Sequence, residues 1–371
     1  MRVAAIHQFL PSLAPRDAIG THTLSVQATL RGMGLRSQIY ADLVHPELAG
    51  LALPFNTFAG HARGHAHGGV ELLLYHASIG SRVADYVLER PEPKLVNFHN
   101  ITPVSSLVRW EPSRCAELEE GRRQLAQLAP VTLHAVADSS YNQAELVAAG
   151  YGSTSVAPIQ LDPEGEVVNP DAATMLRLTR ARANGGAALL FVGRLVPNKA
   201  QHDLVRALAV YRRLYDPRAR LHLVGTAASW NYYRALRALI QRLGLGDAVD
   251  LAGSVGPADL AAYYHGADVF VCLSDHEGFC LPLLEAMGYA LPIVAFGAAA
   301  VPETLGSAGV LIPAKDPLTV SVALHRVLSD AGLRRDLELG RTQRLAELSV
   351  ARGRAVFQAS IRRALALAEV A

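Results

Sequence analysis

The stretch EGFCLPLLE, residues 277–285, decides how this chain is understood. It places Glu277 in a predicted loop and Glu285 inside a predicted helix, while the apolar run at 268–274 predicts a buried parallel strand before them. Pro282 suits the first turn of that helix, where its missing N–H would be unpaired in any case. Open α/β sheets bind ligands at the carboxyl ends of their strands, and a helix N-terminus there favours an anion. The stretch therefore predicts a ligand that carries phosphate and two sets of hydroxyl groups.

A second motif, FVGRLVPNK at residues 191–199, has the same form of strand, loop and helix. The strand is predicted at 188–192 and the helix at 203–215. Gly193 would let the backbone approach a ligand closely, and Arg194 and Lys199 supply positive charge for phosphate oxygens. Taken alone, the motif is also compatible with ordinary turn chemistry and two surface charges. Its spacing from the first motif, with strand and helix units between them, favours the phosphate interpretation.

Together the two motifs resemble the retaining glycosyltransferases of family 4, most clearly over residues 190–313. The resemblance implies the GT-B fold, an α/β architecture in which two Rossmann-like domains with parallel sheets face a central cleft. It implies transfer of a hexose from a nucleoside-diphosphate sugar, a UDP or GDP sugar, to a hydroxyl of a glycan, glycolipid or small molecule. In that family the first glutamate bonds the donor sugar and the second bonds the ribose. The resemblance implies that Glu277 bonds the donor sugar and Glu285 bonds the ribose.

The resemblance places further donor contacts at Gly20, Gly193, Ser254, Val255, Gly278 and Phe279. Gly20 stands alone where the family usually has a doubled glycine, and the alternative is a helix N-terminus capped by Thr21. Ser254 and Val255 would hold the base through backbone groups, and the amides of Gly278 and Phe279 would approach donor oxygens. Cys280 occupies a position that is often glycine in relatives.

His99 is the catalytic candidate of the N-terminal half. It lies in the segment NFHNITP, residues 97–103, which ends a predicted strand and resembles a family element. The resemblance implies that His99 projects into the cleft and contacts the transferred sugar, whereas a purely structural histidine is the alternative. With Glu277, Arg194 and Lys199 it completes the predicted catalytic set.

Short apolar runs alternate with helical patterns along the whole chain, which predicts parallel sheets wrapped by helices. We expect an acceptor-binding domain at 1–164 and a nucleotide-sugar-binding domain at 165–351. A helix at about 352–371 is expected to return to the first domain. The predicted strands fall at 3–9, 37–41, 72–76, 94–98, 133–137, 155–159, 188–192, 221–224, 249–252, 269–273 and 293–296.

Composition excludes several classes of protein. The 371 residues are 50% hydrophobic and 18% charged, which is typical of a globular chain, and the net charge of +2 does not favour nucleic acid as a partner. We find neither a signal peptide nor an apolar stretch long enough to span a bilayer, so a cytoplasmic location is expected. A basic, apolar helix predicted at 107–128 is compatible with peripheral contact at the inner face of a membrane, the alternative being a solvated helix face.

No cofactor beyond the nucleotide sugar is expected, and no metal. His61, His65 and His67 lie in a glycine-rich loop without neighbouring carboxylates or cysteines, and Cys272 and Cys280 are interpreted as packing residues. Three other activities remain open on the same scaffold: a nucleotide-sugar epimerase, a sugar phosphorylase and a non-catalytic nucleotide-sugar-binding subunit.

Overall fold

A computed structural model describes residues 2–15, 17–60, 69–159 and 168–370, and the chain forms two compact units. The first unit comprises Met1–Val104, Ser113–Leu161 and Leu348–Ala371. The second comprises Ser105–Pro112 and Asp162–Glu347. The chain therefore leaves the first unit briefly at residues 105–112, leaves it again near residue 161 and returns to it near residue 348.

The first unit is built on a parallel seven-stranded sheet. Its strands are β1 (Val3–Leu13), β2 (Ile39–Val44), β3 (Leu53–Pro54), β4 (Val70–Ala77), β5 (Lys94–Phe98), β6 (Thr132–Ala137) and β7 (Thr154–Val156). The order across the sheet is β3-β2-β1-β4-β5-β6-β7. The helices in this part of the chain are α1 (Ala18–Gly32), α2 (Arg82–Glu89), α3 (Val104–Leu107), α4 (Pro112–Leu128) and α5 (Ser140–Ala148).

The second unit has a parallel six-stranded sheet in the order β10-β9-β8-β11-β12-β13. Its strands are β8 (Ala188–Val192), β9 (Arg220–Val224), β10 (Val249–Gly253), β11 (Val269–Cys272), β12 (Ile293–Phe296) and β13 (Val310–Ile312). The helices are α6 (Ala172–Ala181), α7 (Gln201–Leu214), α8 (Trp230–Arg242), α9 (Pro257–Gly266), α10 (Leu281–Gly288), α11 (Val301–Leu305), α12 (Pro317–Ser329) and α13 (Ala331–Glu347). The strand order reverses between β8 and β11, which makes that position the topological switch point.

The last helix, α14 (Val350–Val370), packs on the sheet of the first unit. Phe357, Ile361 and Ala364 are buried in the same apolar core as Ile6 and Leu72. Burying three apolar side chains of one helix stabilises its position by several kcal/mol, about 1.5–3 kcal/mol for each large side chain. The C-terminal helix is therefore an integral part of the first unit.

The predicted α/β class with two parallel-sheet domains is confirmed, and the predicted strands recur within a few residues of their expected bounds. The continuous helix predicted at 107–128 is wrong. The structure has α3 up to Leu107, a turn, and then α4 from Pro112. Proline disfavours helical backbone in the residue before it and is well suited to the first turn of a new helix, so Pro112 separates the two. Among the described residues, none of the helices combines the length and apolar character needed to cross a bilayer.

His134 on β6 makes the stability of the first unit depend on pH. Its two ring nitrogens bond Ser153 and Ser155 at 2.8 Å each, and burial, with a smaller effect of the Arg363 charge, lowers its pKa to about 4. Because the unfolded histidine titrates near 6.5, this contribution is fully present above that pH. It is lost as the pH falls toward the folded pKa.

We therefore expect His134→Gln to reduce the pH dependence of the free energy of unfolding by about 1.4 kcal/mol per pH unit between pH 6 and pH 5. Urea unfolding followed by circular dichroism at each pH measures it. The same comparison between pH 7.5 and pH 8.5 is the control, since the two proteins should there show equal slopes. Equal slopes in the acidic window would contradict the assignment of a neutral buried His134.

Candidate functional site

The two sequence motifs meet at the switch point of the second sheet. Strands β8 and β11 are neighbours, with Leu189 opposite Val269 and Leu190 opposite Phe270. The loop at 193–199 follows β8, and the loop at 273–280 follows β11. Because the strands are parallel, both loops leave the same edge of the sheet, where α/β proteins bind their ligands.

The two loops are hydrogen-bonded to each other through their backbones. The Asp275 amide donates to the Asn198 carbonyl at 2.8 Å. The side-chain amide of Asn198, which is buried, donates to the carbonyl of His276 at 3.3 Å. These bonds fix the loop that carries Glu277 against the loop that carries Lys199.

The Lys199 ammonium and the Glu277 carboxylate form an ion pair at 2.5 Å. Only 19% of the Lys199 side chain and 9% of the Glu277 side chain are exposed. Burial is the largest single effect and would lower the pKa of Lys199. The charge of Glu277, the hydrogen bond that it accepts and the nearby thiols Cys280 and Cys272 together outweigh burial, so the pKa is raised. Lys199 is therefore a permanent positive charge beside the carboxylate.

Gly193 and Arg194 lie directly after β8. Gly193 has φ of 153°, and its carbonyl oxygen would be only 2.1 Å from a Cβ placed on Gly225. The backbone therefore packs closely here, and it leaves the Arg194 side chain exposed. No ion-pair partner of Arg194 occurs in the described ranges of the chain, so its guanidinium is available to an anion.

Glu285 lies in α10 and is held by Tyr264 of α9. The Tyr264 hydroxyl donates a hydrogen bond of 2.6 Å to Oε2 of Glu285. Burial raises the pKa of Glu285, and the bond from Tyr264 acts in the opposite direction by favouring the charged form. Tyr264 is itself stacked on Tyr289, with 4.7 Å between the ring centroids. Sequence reasoning missed Tyr264, whose position depends on the packing of α9 against α10.

The backbone between the two glutamates makes a sharp turn. Cys280 is the N-cap residue of α10 and has φ of 69°, a left-handed conformation that favours glycine. Glycine would adopt this conformation without the strain that a Cβ brings. The carbonyl of Phe279 accepts a hydrogen bond from the Thr304 hydroxyl of α11, which fixes the turn at Gly278 and Phe279.

Ser254 and Val255 follow β10, the edge strand two positions from β8. Neighbouring strands are spaced about 4.8 Å apart, so the end of β10 lies roughly 10 Å from the end of β8. A nucleoside spans such a distance. Ser254 is exposed, and the backbone bond from the Gly225 amide to the Gly253 carbonyl, 2.9 Å long, fixes the start of its loop. Base contacts at these two residues stay a prediction.

In the first unit, Gly20 lies in the first turn of α1. The N-cap is Asp17, which accepts a hydrogen bond of 3.0 Å from the Gly20 amide, so the alternative in which Thr21 caps the helix is wrong. Asp17 was the overlooked signal, since aspartate is a preferred N-cap residue. The Gly20 amide is therefore already bonded, and a donor contact at Gly20 stays a prediction.

His99 belongs to a hydrogen-bonded chain that crosses four adjacent strands. His99 Nδ1 lies 2.8 Å from Asp138, His99 Nε2 lies 2.9 Å from His76 Nδ1, and His76 Nε2 lies 2.9 Å from the side-chain amide oxygen, Oε1, of Gln8. Gln8 and His76 are in β1 and β4, and His99 and Asp138 follow β5 and β6. Only 1% of the His99 side chain is exposed. Both ring nitrogens bond protein partners in this structure, and the contact of His99 with the transferred sugar stays a prediction.

The acceptors in this series of hydrogen bonds determine which ring nitrogen carries each proton. With Oε1 of the Gln8 side chain as the final acceptor, His76 Nε2 donates to Gln8 and His99 Nε2 donates to His76 Nδ1. A single proton then lies between His99 Nδ1 and Asp138. Burial lowers the pKa of His76 well below its ordinary value, which keeps its ring neutral, and burial raises the pKa of Asp138. The three histidines of the predicted loop, His61, His65 and His67, lie outside the described residues.

Both sequence motifs lie in a region that matches a known protein family. The family model described as glycosyl transferases group 1 matches residues 179–341, which include both motifs. Over these residues the chain matches the group 1 glycosyl transferases, and it is a glycosyltransferase. The family resemblance drawn from the two motifs is confirmed at this level, and the epimerase, phosphorylase and non-catalytic alternatives are set aside.

Two curated relatives have related names. The D-inositol 3-phosphate glycosyltransferase of Kineococcus radiotolerans is 29% identical over 317 residues, covering 80% of this chain and 72% of that protein. The GDP-mannose-dependent alpha-(1-6)-phosphatidylinositol monomannoside mannosyltransferase of Mycobacterium tuberculosis is 30% identical over 202 residues, which is 52% of this chain and 51% of the relative. The glycosyltransferase thus aligns with about half to three quarters of these two proteins.

Solved structures share the fold over nearly the whole chain. Anabaena Alr3699/HepE in complex with UDP and glucose superposes with a TM-score of 0.73 at 18% identity, covering 96% of this chain and 99% of that one. The sucrose-phosphate synthase of Thermosynechococcus elongatus superposes with a TM-score of 0.74 at 20% identity, covering 98% and 99%. The GT-B fold expected from the sequence is confirmed.

The Lys199–Glu277 pair should contribute to folding as well as to ligand binding. Removing one partner of a buried pair leaves the other charge desolvated, which costs on the order of 3 kcal/mol, whereas removing both costs much less than the sum. We therefore expect Lys199→Met and Glu277→Gln each to destabilise the second unit. The double variant should be at least as stable as the less stable of the two single variants.

Both tryptophans, Trp110 and Trp230, belong to the second unit, so urea unfolding followed by tryptophan fluorescence measures its stability. Arg326→Met is the matched control. It breaks a pair with Asp330 whose side chains are 66% and 41% exposed, and it should change the free energy of unfolding by less than about 1 kcal/mol. Additive losses in the double variant would contradict the coupling.

Proposed function

We propose that this glycosyltransferase belongs to family 4 and transfers a hexose from a UDP or GDP sugar to an acceptor hydroxyl with retention of configuration. The observation that carries the proposal is the ion pair of Lys199 and Glu277 at the switch point, beside the N-terminus of α10. It brings a fixed cation and a carboxylate to one edge of the sheet. A nucleoside-diphosphate sugar carries the complementary groups, because its diphosphate is anionic and its sugar is rich in hydroxyls.

The proposed binding mode divides the donor into three parts. Arg194, Lys199 and the N-terminal amides of α10 hold the diphosphate, as helix N-termini and forked guanidinium groups do in other phosphate sites. Glu285, oriented by Tyr264, accepts hydrogen bonds from the ribose hydroxyls. Glu277 accepts hydrogen bonds from the sugar, and Ser254 and Val255 contact the base.

The proposed reaction breaks the bond between C1 of the sugar and the diphosphate oxygen. As this bond lengthens, positive charge develops on the sugar ring and negative charge on the departing diphosphate. Arg194 and Lys199 stabilise that negative charge, and the departing oxygen accepts the proton of the incoming hydroxyl on the same face of the sugar. The new C1–O bond then forms with the original configuration, and no enzyme nucleophile takes part.

His99 enters the proposal as the predicted sugar contact of the first unit. To make that contact through Nε2, it has to exchange its hydrogen bond to His76. Asp138 would support the exchange, because it holds the opposite nitrogen of the ring. Gly20, at the start of α1, is proposed as a further donor contact.

The names of similar proteins support the choice of donor. Alr3699/HepE was solved with UDP and glucose, and one curated relative is named as GDP-mannose-dependent. The two curated relatives described above are both named for acceptors that contain inositol. We propose a hydroxyl of a glycan, glycolipid or small molecule as the acceptor and a cytoplasmic site of action, with peripheral contact at the inner membrane face for a lipid acceptor.

Substitutions of Glu277 and Glu285 should cause different functional defects. Glu285→Gln should weaken binding of the free nucleoside diphosphate and of the nucleotide sugar alike, by at least about tenfold, because the ribose belongs to both. Glu277→Gln should leave the affinity for the free nucleoside diphosphate undiminished. It should lower transfer at least about tenfold, or roughly 1.4 kcal/mol of transition-state stabilisation. Tyr264→Phe should reproduce part of the Glu285→Gln defect.

Calorimetry with UDP and with GDP, alongside turnover of the corresponding sugars, measures both effects and identifies the base. Glu338→Gln, an exposed carboxylate of α13, is the matched control. If Glu277→Gln abolishes nucleotide binding, or if Glu285→Gln leaves it unchanged while transfer falls, the assignment of sugar and ribose is wrong.

Transfer should also survive chelation. In the proposed mechanism the diphosphate is neutralised by two cationic side chains and a helix N-terminus, so excess EDTA should leave turnover within about twofold of its starting value. Complete loss of transfer, restored by one divalent ion, would contradict the proposed metal-independent mechanism.

A further inference from the structure

Two thiols flank the proposed sugar-binding carboxylate. Cys272 ends β11, Cys280 caps α10, and Glu277 lies between them in the chain. Their ligand atoms, two sulfurs and a carboxylate oxygen, all lie within 4.8 Å of one another. Cys272 is 1% exposed and Cys280 is 5% exposed, so both thiols are fixed by packing.

The distance between the two sulfurs fits a tetrahedral metal ion. The two Sγ atoms lie 3.8 Å apart. Zinc–thiolate bonds are about 2.3 Å long, so two thiolates on a tetrahedral zinc ion are separated by about 3.8 Å. A disulfide requires about 2.05 Å, and forming one would move the sulfurs together by roughly 1.8 Å within a packed interior. The resting geometry is therefore closer to that of a metal site than to that of a disulfide.

The charges of the site also balance when an ion binds. Without metal, the protonated thiols are neutral and the Glu277 carboxylate is paired with the Lys199 ammonium. A divalent ion would displace one proton from each thiol, and both protons would leave to solvent. Two thiolates, one carboxylate, the ammonium and the ion then sum to zero again. Three protein ligands leave a fourth position of the tetrahedron for water or a donor oxygen.

We propose that Cys272, Glu277 and Cys280 bind a thiophilic divalent ion such as Zn²⁺, and that the bound ion inhibits transfer by withdrawing Glu277 from the donor sugar. Thiolate ligands select zinc-like ions over Mg²⁺, which prefers oxygen ligands. The binding site stands on the geometry of the three ligands. The inhibition rests in addition on the proposed function, in which Glu277 contacts the sugar.

Metal binding is tested without reference to activity. Protein kept reduced with a phosphine is titrated with Co²⁺, whose bonds to thiolates give charge-transfer absorption, and then with Zn²⁺ in competition. We expect one ion per chain and release of two protons, measured by calorimetry in buffers of different ionisation enthalpy. Cys272→Ala and Cys280→Gly should both lose the absorption. Cys280→Gly suits the left-handed backbone at that position, so it tests the ligand without straining the fold.

Cys115→Ala is the matched control, because Cys115 is a buried cysteine of the first unit and should leave Co²⁺ binding unchanged. Wild-type protein without the absorption band, or Cys272→Ala and Cys280→Gly variants that retain it, would overturn the site. The two thiols could instead form a disulfide. In that case both would be lost in oxidised protein and the reduced protein would not bind Co²⁺, which would also overturn the proposed metal site.

Turnover is then measured with one equivalent of Zn²⁺, with Mg²⁺ and after addition of EDTA. Zn²⁺ should lower transfer by wild-type protein at least tenfold and EDTA should restore it, while Mg²⁺ has no effect. Cys272→Ala should keep its own metal-free rate when Zn²⁺ is added. Stoichiometric binding with undiminished transfer would overturn the inhibition alone. Failure of the proposed function is separate, because it would appear as metal-free Glu277→Gln protein that transfers at the wild-type rate.

Discussion

The ion pair between Lys199 and Glu277 joins the two loops on which the donor site depends. The residues lie 78 positions apart in the chain, yet their charged atoms are 2.5 Å apart because β8 and β11 are adjacent at the switch point. A buried pair of this kind contributes little net stability but costs several kcal/mol when one partner is removed. Its main effect is therefore geometric: the cation for the phosphate and the carboxylate for the sugar are in place before a ligand arrives, which lowers the ordering cost of binding.

The first unit also orients its polar side chains before a ligand arrives, through a series of buried hydrogen bonds. Its chain of Gln8, His76, His99 and Asp138 follows the order of the strands across the sheet, so each side chain orients the next. Burial keeps the His76 ring neutral and raises the pKa of Asp138. The orientation of His99 is thus set by three residues on other strands, and its imidazole is available to a ligand only at the expense of a buried hydrogen bond, about 1 kcal/mol or more.

The sequence was sufficient for the features that depend on local patterns. Strand, loop and helix at 188–199 and 268–285 follow from apolar runs, glycine and proline, and the strands recur near their predicted positions. The interruption between α3 and α4 at 108–111 also has a local signal, Pro112, which the prediction of one continuous helix did not take into account. The pairing of Lys199 with Glu277, the contact from Tyr264 to Glu285 and the histidine chain depend on strand order and helix packing. No spacing in the chain encodes these contacts, so sequence reasoning identified the acidic and basic residues but not their partners.

The fold requires the backbone conformation of Cys280 but does not require its thiol. The turn into α10 needs φ of 69°, which costs an L-residue roughly 1–2 kcal/mol and glycine almost nothing. Glycine would therefore satisfy the fold, and it would leave Cys272 without a second sulfur. Cysteine at this position instead places a thiol 3.8 Å from Cys272 and beside the carboxylate assigned to the sugar. The strain is tolerated where the backbone is held on both sides, by β11 and by the Thr304 bond to Phe279, so the side chain at 280 adds chemistry to a turn whose geometry does not depend on it.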